Sequence, residues 1–550
     1  MKALAAILTL CGIALVWGRH GQELAFTNIA AQAGIHAEMR CGGPQKHWIP
    51  SANGSGVAWL DYDNDGKMDL LIVNGGTMDQ LRTILAGKTP APVKGNVYLF
   101  HNLGNGKFQD VTAKAGLSDP YWGTGANAAD YNNDGYTDVL ITNIGLDLLY
   151  RNNGNGTFSN VSKAAGLSRT IAWHTGSAFG DFDGDGRLDL FVTGYINLHS
   201  LHLNGPAPVC NYLNQHVFCG PIGFPGGTSI LYHNNGNSTF TDVTKKSGIG
   251  AAPPAHGFTA VTGDFNGDGK LDIFVANDSG PNHLFINQGH GTFKEEALMD
   301  GVAYNADGRV QSNMGVAVGH YGGSAPLDLL TTVFDRDYFP LFRETTPGIY
   351  QEVSSSTGLA AATYKYFGWA CGLTDFANSG TEDFWSANGQ VYPTDPDYVE
   401  PLTIFRRTKT GTALAYSYPA KPNASYRGGA VGDFNNDGKM DLVVVPVAGA
   451  PVLLRNDTVN TGHWIGLRLA GTRSNRGGIG AKVMIEACGR EQTRELRNGG
   501  SYISRNDPRI HFGLGDCGKI SRLTIRWPSG TLQQVNGARI DAYQTVREPE

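Results

Sequence analysis

One motif constrains this chain more than any other: an acidic bend that recurs five times at fixed internal spacing. In DFDGDGRLDL, Asp181, Asp183, Asp185 and Asp189 stand at positions 1, 3, 5 and 9, with Gly186 at position 6. Alternate residues along a turning backbone point inward together, so four hard oxygen donors converge, and the backbone carbonyl of Arg187 at position 7 can add another. Calcium takes six to eight oxygens at about 2.3–2.6 Å, and glycine permits the sharp turn because it lacks a Cβ. The spacing repeats in Asp61, Asp63, Asp65, Lys67 and Asp69, and in Asp130, Asn132, Asp134, Tyr136 and Asp138. It repeats again in Asp264, Asn266, Asp268, Lys270 and Asp272, and in Asp433, Asn435, Asp437, Lys439 and Asp441. About five Ca2+ sites are expected.

The same opening begins an EF-hand, which needs a glutamate at position 12 and flanking helices. Position 12 here is Ile72, Ile141, Val192, Val275 or Val444, all β-branched and suited to strands. The bends therefore read as turns between strands. A small, Gly-rich strand precedes each bend, as in TGSAFGDFD, and an apolar strand such as LFVT follows. A third strand ends in a polar turn (YLFHN, LLYRN, ILYHN), and a fourth alternates (GNGKFQDVT, GNGTFSNVS). Four short strands per repeat are the signature of propeller blades.

Two degenerate copies complete the count. MGVAVGHYGGSAPLDLL places His320 at position 1 and is read as having lost the other acids; GWACGLTDFANSGTEDFW keeps Asp375 and Asp383 around Ala377 and Ser379. These two blades are expected to lack most or all of the metal. The seventh blade runs out of repeat after PVLLRND, and AFTNIAAQAGI near the N-terminus resembles FQDVTAKAGL. That N-terminal segment is expected to close the ring and remove an open sheet edge. The fold expected is all-β: a seven-bladed β-propeller over residues 24–457, then a small β domain over residues 460–550. Insertions at 77–95 and 197–228 interrupt the rhythm, either as specificity loops or as decoration covering a blade face.

Residues 1–18 carry one Lys and an apolar run, which reads as a secretory signal peptide with Val16 and Gly18 at −3 and −1 of the cleavage site; an uncleaved anchor is the alternative. No later run is long enough to span a membrane. Secretion, or a periplasmic location in a bacterial host, leaves six cysteines in an oxidising compartment. Cys210–Cys219 and Cys488–Cys517 are the expected disulfides, while Cys41 and Cys371 are either a third pair or buried thiols. The formal net charge is −6 and no basic stripe is present, so nucleic acid is not an expected partner.

The bends, with AFGDFDGDG among them, resemble the FG-GAP/VCBS repeats of integrin-α-type propellers. The tail, with Asn475-Arg476-Gly-Gly-Ile-Gly480, His511-Phe-Gly-Leu-Gly515 and Trp527-Pro-Ser-Gly530, is similar to the ASPIC/UnbV domain. Together they resemble the cartilage acidic protein 1 family, which implies a secreted, calcium-binding propeller. No G-x-S-x-G, H-E-x-x-H, P-loop or zinc-spaced cysteine pair occurs, and histidines such as His47, His174 and His463 stand singly beside tryptophans. No catalytic residue is expected. The leading function is an extracellular binding module for a protein or glycan. The alternatives are a carbohydrate-active enzyme with its site in the propeller channel, and a C-terminal domain that binds the partner while the propeller serves as scaffold.

Overall fold

A computed structural model describes residues 23–550 except 44–45, 168–169, 204, 206, 324–325 and 420–423. The expected leader, with Cys11, lies outside the described residues.

Each acidic bend joins two antiparallel strands in one register. Leu60 faces Asp69, Ala129 faces Asp138, Gly180 faces Asp189, Gly263 faces Asp272 and Gly432 faces Asp441. Position 9 thus opens the second strand directly opposite the residue before position 1. The two strands are buried along their whole length, Ala172 at one strand's start excepted, because each blade packs face to face between its neighbours. Continuous apolar runs replace alternation for that reason.

Third and fourth strands complete sheets such as Val57–Leu60, Asp69–Val73, Val97–Gly104 and Lys107–Asp110. The other six blades begin on Trp122–Ala129, Ala172–Gly180, Gly257–Gly263, Val316–Gly319, Gly368–Thr374 and Tyr426–Gly432. The architecture is an all-β, seven-bladed propeller. Blade seven draws its fourth strand from Phe26–Asn28, which runs antiparallel to Val452–Asn456 with Phe26 opposite Asn456.

Adjacent blades are stitched by one repeated contact. The asparagine ending the third strand donates to the position-2 carbonyl of the preceding bend: Asn102 to Phe434, Asn152 to Tyr62, Asn234 to Tyr131, Asn287 to Phe182 and Asn456 to Phe376, all at 2.7–2.9 Å.

Residues 463–547 form two further sheets. One pairs His463–Ala470 with Ile510–Gly515 and Tyr543–Arg547; the other orders Arg490–Glu495, Lys482–Ala487, Ile520–Arg526 and Leu532–Gln534. Between the strands ending at Glu495 and starting at Ile510, a loop enters the propeller axis. Its backbone exchanges hydrogen bonds with the inner strands of blades one (Arg505 with Val57 and Trp59), two (Ile503 with Ala126), four (Gly500 with Ala260) and five (Ser501 with Val316). Ser501 and Ile503 hold φ of 51° and 45°, conformations that a β-branched residue adopts only when its surroundings enforce them.

Tyr502 at the loop's tip is fully buried and stacks edge-on against Phe258 and Trp369, with centroids 5.3 and 4.9 Å away. From Phe258 the contacts continue to Tyr195 and Trp173, and from Trp369 to Phe367 and Phe334. The axis is therefore filled by aromatic side chains. A catalytic site in an open channel has no room at this level.

The insertion in blade three forms a hairpin, Val209–Tyr212 with Gln215–Phe218, closed by the Cys210–Cys219 disulfide. It lies at the end of the axis away from the acidic bends, where Tyr212 donates to Asp335 of blade five (2.7 Å) and Phe218 packs on Tyr392 of blade six. Cys488 and Cys517 form the second disulfide, while Cys41 and Cys371 are buried free thiols. A third disulfide is thereby excluded: the two sulfurs sit in separate apolar clusters.

Truncating the plug tests its weight. Tyr502→Ala is expected to cost about 3–5 kcal/mol, the usual loss for a large buried aromatic. Urea unfolding of the full chain measures it; a loss under 1 kcal/mol would mean that the propeller holds together without the plug.

Candidate metal loops and the docked C-terminal domain

In every bend the backbone wraps the carboxylates in the same way. The position-1 aspartate accepts the position-6 N–H: Asp61 from Gly66, Asp130 from Gly135, Asp181 from Gly186, Asp264 from Gly269 and Asp433 from Gly438. Those five glycines have φ between 80° and 93°, a region that strains any side chain. Position 4 is left-handed as well and is filled only by Asn64, Asn133, Gly184, Gly267 and Asn436. The sequence reading overlooked this second requirement, although the N/G alternation at position 4 displays it.

The position-9 aspartate is the buried anchor. Asp69, Asp138, Asp189, Asp272 and Asp441 each accept from the position-2 N–H and from the N–H of the third-strand asparagine. Burial, with neighbouring aspartates adding to it, pushes the first four up to about 8 and Asp441 well above the ordinary carboxylate range. The clusters thus hold more negative charge than their surroundings stabilise, a condition that a divalent cation relieves.

The residues present fit such an ion. Ligand oxygens of Asp61, Asp63 and Asp65, and of Asp181, Asp183 and Asp185, lie within 4.8 Å of one another. Asp183 Oδ1 and Asp264 Oδ1 are buried without a hydrogen-bond partner, as oxygens reserved for a cation would be. Two histidines on third strands join the clusters: Nδ1 of His101 is 3.1 Å from Asp69, and Nδ1 of His233 is 3.1 Å from Asp189. Neither was a sequence candidate; the signal is His in YLFHN and ILYHN where other blades have Arg or Ile.

The degenerate blades pair their aspartates with arginine. Asp328 stands at position 9 of blade five, correcting the reading that only His320 marked this bend. It is buried and paired bidentately with Arg343 at 2.7 and 2.9 Å. In blade six Asp383 pairs with Arg406 at 2.9 and 2.7 Å, while Asp375 accepts from Ser379 and Gly380. In both, a third-strand arginine supplies the counter-charge of the position-9 aspartate.

The C-terminal domain sits on this same face and reaches almost every bend. Arg468 contacts Asp61 at 2.9 Å, Lys482 contacts Asp264 at 2.6 Å and the Tyr543 hydroxyl donates to Asp433 at 2.8 Å. The N–H of Arg476 reaches Asn133, Arg490 reaches the carbonyls of Ser379 and Gly380, and Arg509 reaches Asn436 and the Asp433 carbonyl. In blades one, four and seven the position-1 carboxylate is thus already shared with a group from this domain.

The tail matches the model described as ASPIC and UnbV over residues 471–550, and the FG-GAP-like repeat matches at 79–141, 130–192, 217–275 and 264–330. The chain carries FG-GAP-like repeats and an ASPIC and UnbV domain. This FG-GAP/ASPIC chain is 25% identical to cartilage acidic protein 1 of Mus musculus over 59% of its own length and 41% of the relative's. The Homo sapiens protein of that name is 25% identical over 60% and 41%. The chain thus spans about two fifths of the length of these curated relatives. Among solved structures, a lectin of Agrocybe aegerita specific for non-reducing terminal N-acetylglucosamine aligns at 14% identity over 72% of this chain and 86% of that one. Its TM-score of 0.35 is below what shows a shared fold.

Removing one of these arginines should expose its role. Arg343→Met leaves Asp328 buried and unpaired, and is expected to cost about 3 kcal/mol or more at neutral pH. Because an isolated buried carboxylate favours its neutral form, the deficit should shrink as pH falls toward 4. Denaturant unfolding at pH 7 and pH 4.5 checks this; a deficit equal at both would assign the loss to packing instead.

Proposed function

We propose that this chain is an extracellular, calcium-stabilised propeller that binds a macromolecular partner through the face opposite its C-terminal domain. The observation carrying this reading is positional. The C-terminal domain covers the face bearing the acidic bends and its plug fills the axis, so the loops at the far end are left as the broad recognition surface. Three of the exposed large apolar side chains, Val209, Leu213 and Ile222, lie on the blade-three insertion there, and apolar groups grouped on one exposed loop favour a protein partner. The two disulfides and the cartilage acidic protein relatives support an oxidising, extracellular setting. No helix among the described residues is long and apolar enough to cross a membrane.

In this reading Asp181, Asp183, Asp185 and Asp189, with the carbonyl of Arg187, hold one ion, and the corresponding residues of the other four bends hold theirs. The ions neutralise the clustered carboxylates and fix the turns on which the C-terminal domain rests. Their role is structural.

Two measurements test the proposal. Adding calcium to chelated full-length chain should raise the melting temperature, since a ligand at 100 times its dissociation constant stabilises by about 2.7 kcal/mol; Asp181→Ala should remove one site and leave the rest. Identical melting in EDTA and calcium sinks the metal assignment. For the binding face, an array of secreted proteins and glycans is probed with the chain and with the double variant Leu213→Glu/Ile222→Glu. The variant should lose the partner without a change in melting temperature; undiminished binding would place the interface elsewhere.

A further inference from the structure

Two of the five acidic bends differ from the rest in two places at once. Position 3 is aspartate in blades one and three (Asp63, Asp183) and asparagine in blades two, four and seven (Asn132, Asn266, Asn435). The residue before the third-strand asparagine is histidine in the same two blades (His101, His233), against Arg151, Ile286 and Arg455 in the others. The fold brings the extra acid and the histidine together. Nδ1 of His101 is 3.5 Å from Asp63 and 3.1 Å from Asp69, and Nδ1 of His233 is 3.3 Å from Asp183 and 3.1 Å from Asp189. In each blade the two carboxylates and the imidazole present ligand atoms within 4.8 Å of one another.

This trio is a different ligand set from the bend's own oxygens, and the position-3 carboxylate belongs to both. Oδ2 of Asp183 faces His233, while its Oδ1 is buried with no hydrogen-bond partner. Oδ1 of Asp189 likewise faces His233, and its Oδ2 accepts the Phe182 N–H. The charges point the same way. One divalent ion leaves a bend of three aspartates at a formal −1, but a bend of four at −2, and Lys67 and Arg187 are engaged by the position-5 carboxylates. In blades five and six the counterpart residue is an arginine that brings its own charge, whereas a neutral imidazole brings a lone pair. Beside the blade-three trio lies a cavity of about 130 Å³ whose walls include Asp183, Asp189, His233 and His290, with room for the waters of an incompletely ligated ion.

We infer that blades one and three each hold a second metal ion, bound by Asp63, Asp69 and His101 and by Asp183, Asp189 and His233, and that this ion is a transition metal of the zinc class rather than calcium. Calcium takes an all-oxygen shell, while a mixed imidazole and carboxylate set favours borderline divalent ions. Three protein ligands with water in the fourth place are a recurring zinc arrangement, and in blade three the adjoining cavity can supply that water. Where the bend also holds its own ion, the position-3 carboxylate bridges the two, one oxygen to each. The inference does not rest on calcium in the bends, since the histidine trio is complete without it.

Equilibrium dialysis of the full-length chain at low free Zn2+, with and without saturating Ca2+, followed by elemental analysis, tests this. Two zinc ions per chain are expected in both conditions, and one in His101→Gln or in His233→Gln. The double variant should lose both, its zinc affinity at these sites falling about tenfold or more. Zinc that binds without calcium and is displaced by it would mean one shared site per bend and overturns the proposal. So does the absence of zinc binding, and so does zinc retained in full by the double variant, which would place it on other histidines. The calcium-dependent rise in melting temperature is read separately on the unaltered chain: its absence removes calcium from the bends and leaves the zinc sites standing. Should the histidine variants fail to fold, Asn132→Asp/Arg151→His installs both features in blade two, where Arg151 is exposed. A third zinc ion is expected there, and its absence rejects the ligand set.

Discussion

The structure depends on one buried carboxylate per blade. In the five acidic blades the position-9 aspartate begins the second strand, accepts an N–H from the bend and accepts another from the third-strand asparagine, so a single side chain ties three segments together. The asparagine that supplies the last of these N–H groups then spans to the neighbouring blade's bend. A buried anion so placed is costly unless something positive lies beside it. The blades answer that need in two ways: Arg343 and Arg406 supply the charge in blades five and six, and the remaining five present a ring of oxygen donors suited to a cation. The acidic bends are therefore first a solution to a folding problem.

From that constraint the placement of the C-terminal domain follows. Bends that concentrate carboxylates and exposed carbonyls on one face form a platform for basic side chains, and Arg468, Lys482, Arg490 and Arg509 meet it. The domain also supplies the plug, whose strained Ile503 and buried Tyr502 are held by hydrogen bonds to inner strands around the ring. Propeller and tail consequently share a core (Tyr502 and Ile503 belong to the same apolar cluster as Trp173, Tyr195 and Trp369). With one face covered and the axis filled, the disulfide-closed hairpin lies at the end of the ring that the tail leaves open.

Much of this was legible in the chain itself. Aspartate at four fixed offsets, glycine at position 6 and β-branched residues at position 12 define a hairpin bend, since each demand is local and satisfied within ten residues. Repetition then yields the blade, because a four-stranded unit buried on both faces must read as small and apolar inner strands followed by an alternating outer one. The loss of the acids at positions 3 and 5 of blades five and six was readable; that Arg343 and Arg406 neutralise the remaining position-9 aspartates was not. Arg343 and Arg406 sit 15 and 23 residues beyond the aspartates they neutralise, and nothing in LFRET or IFRRT marks them as partners rather than surface charges.

What the sequence determined by itself was the repeated unit, its bend chemistry and the kinship of Phe26–Asn28 with other fourth strands, all properties of short segments. Only tertiary structure decided that residues 497–507 leave their own domain to fill the axis, and that the acidic face is the docked face. These features join groups hundreds of residues apart. Their energies arise from burial and from the pairing of distant charges, and neither quantity exists until the ring has closed.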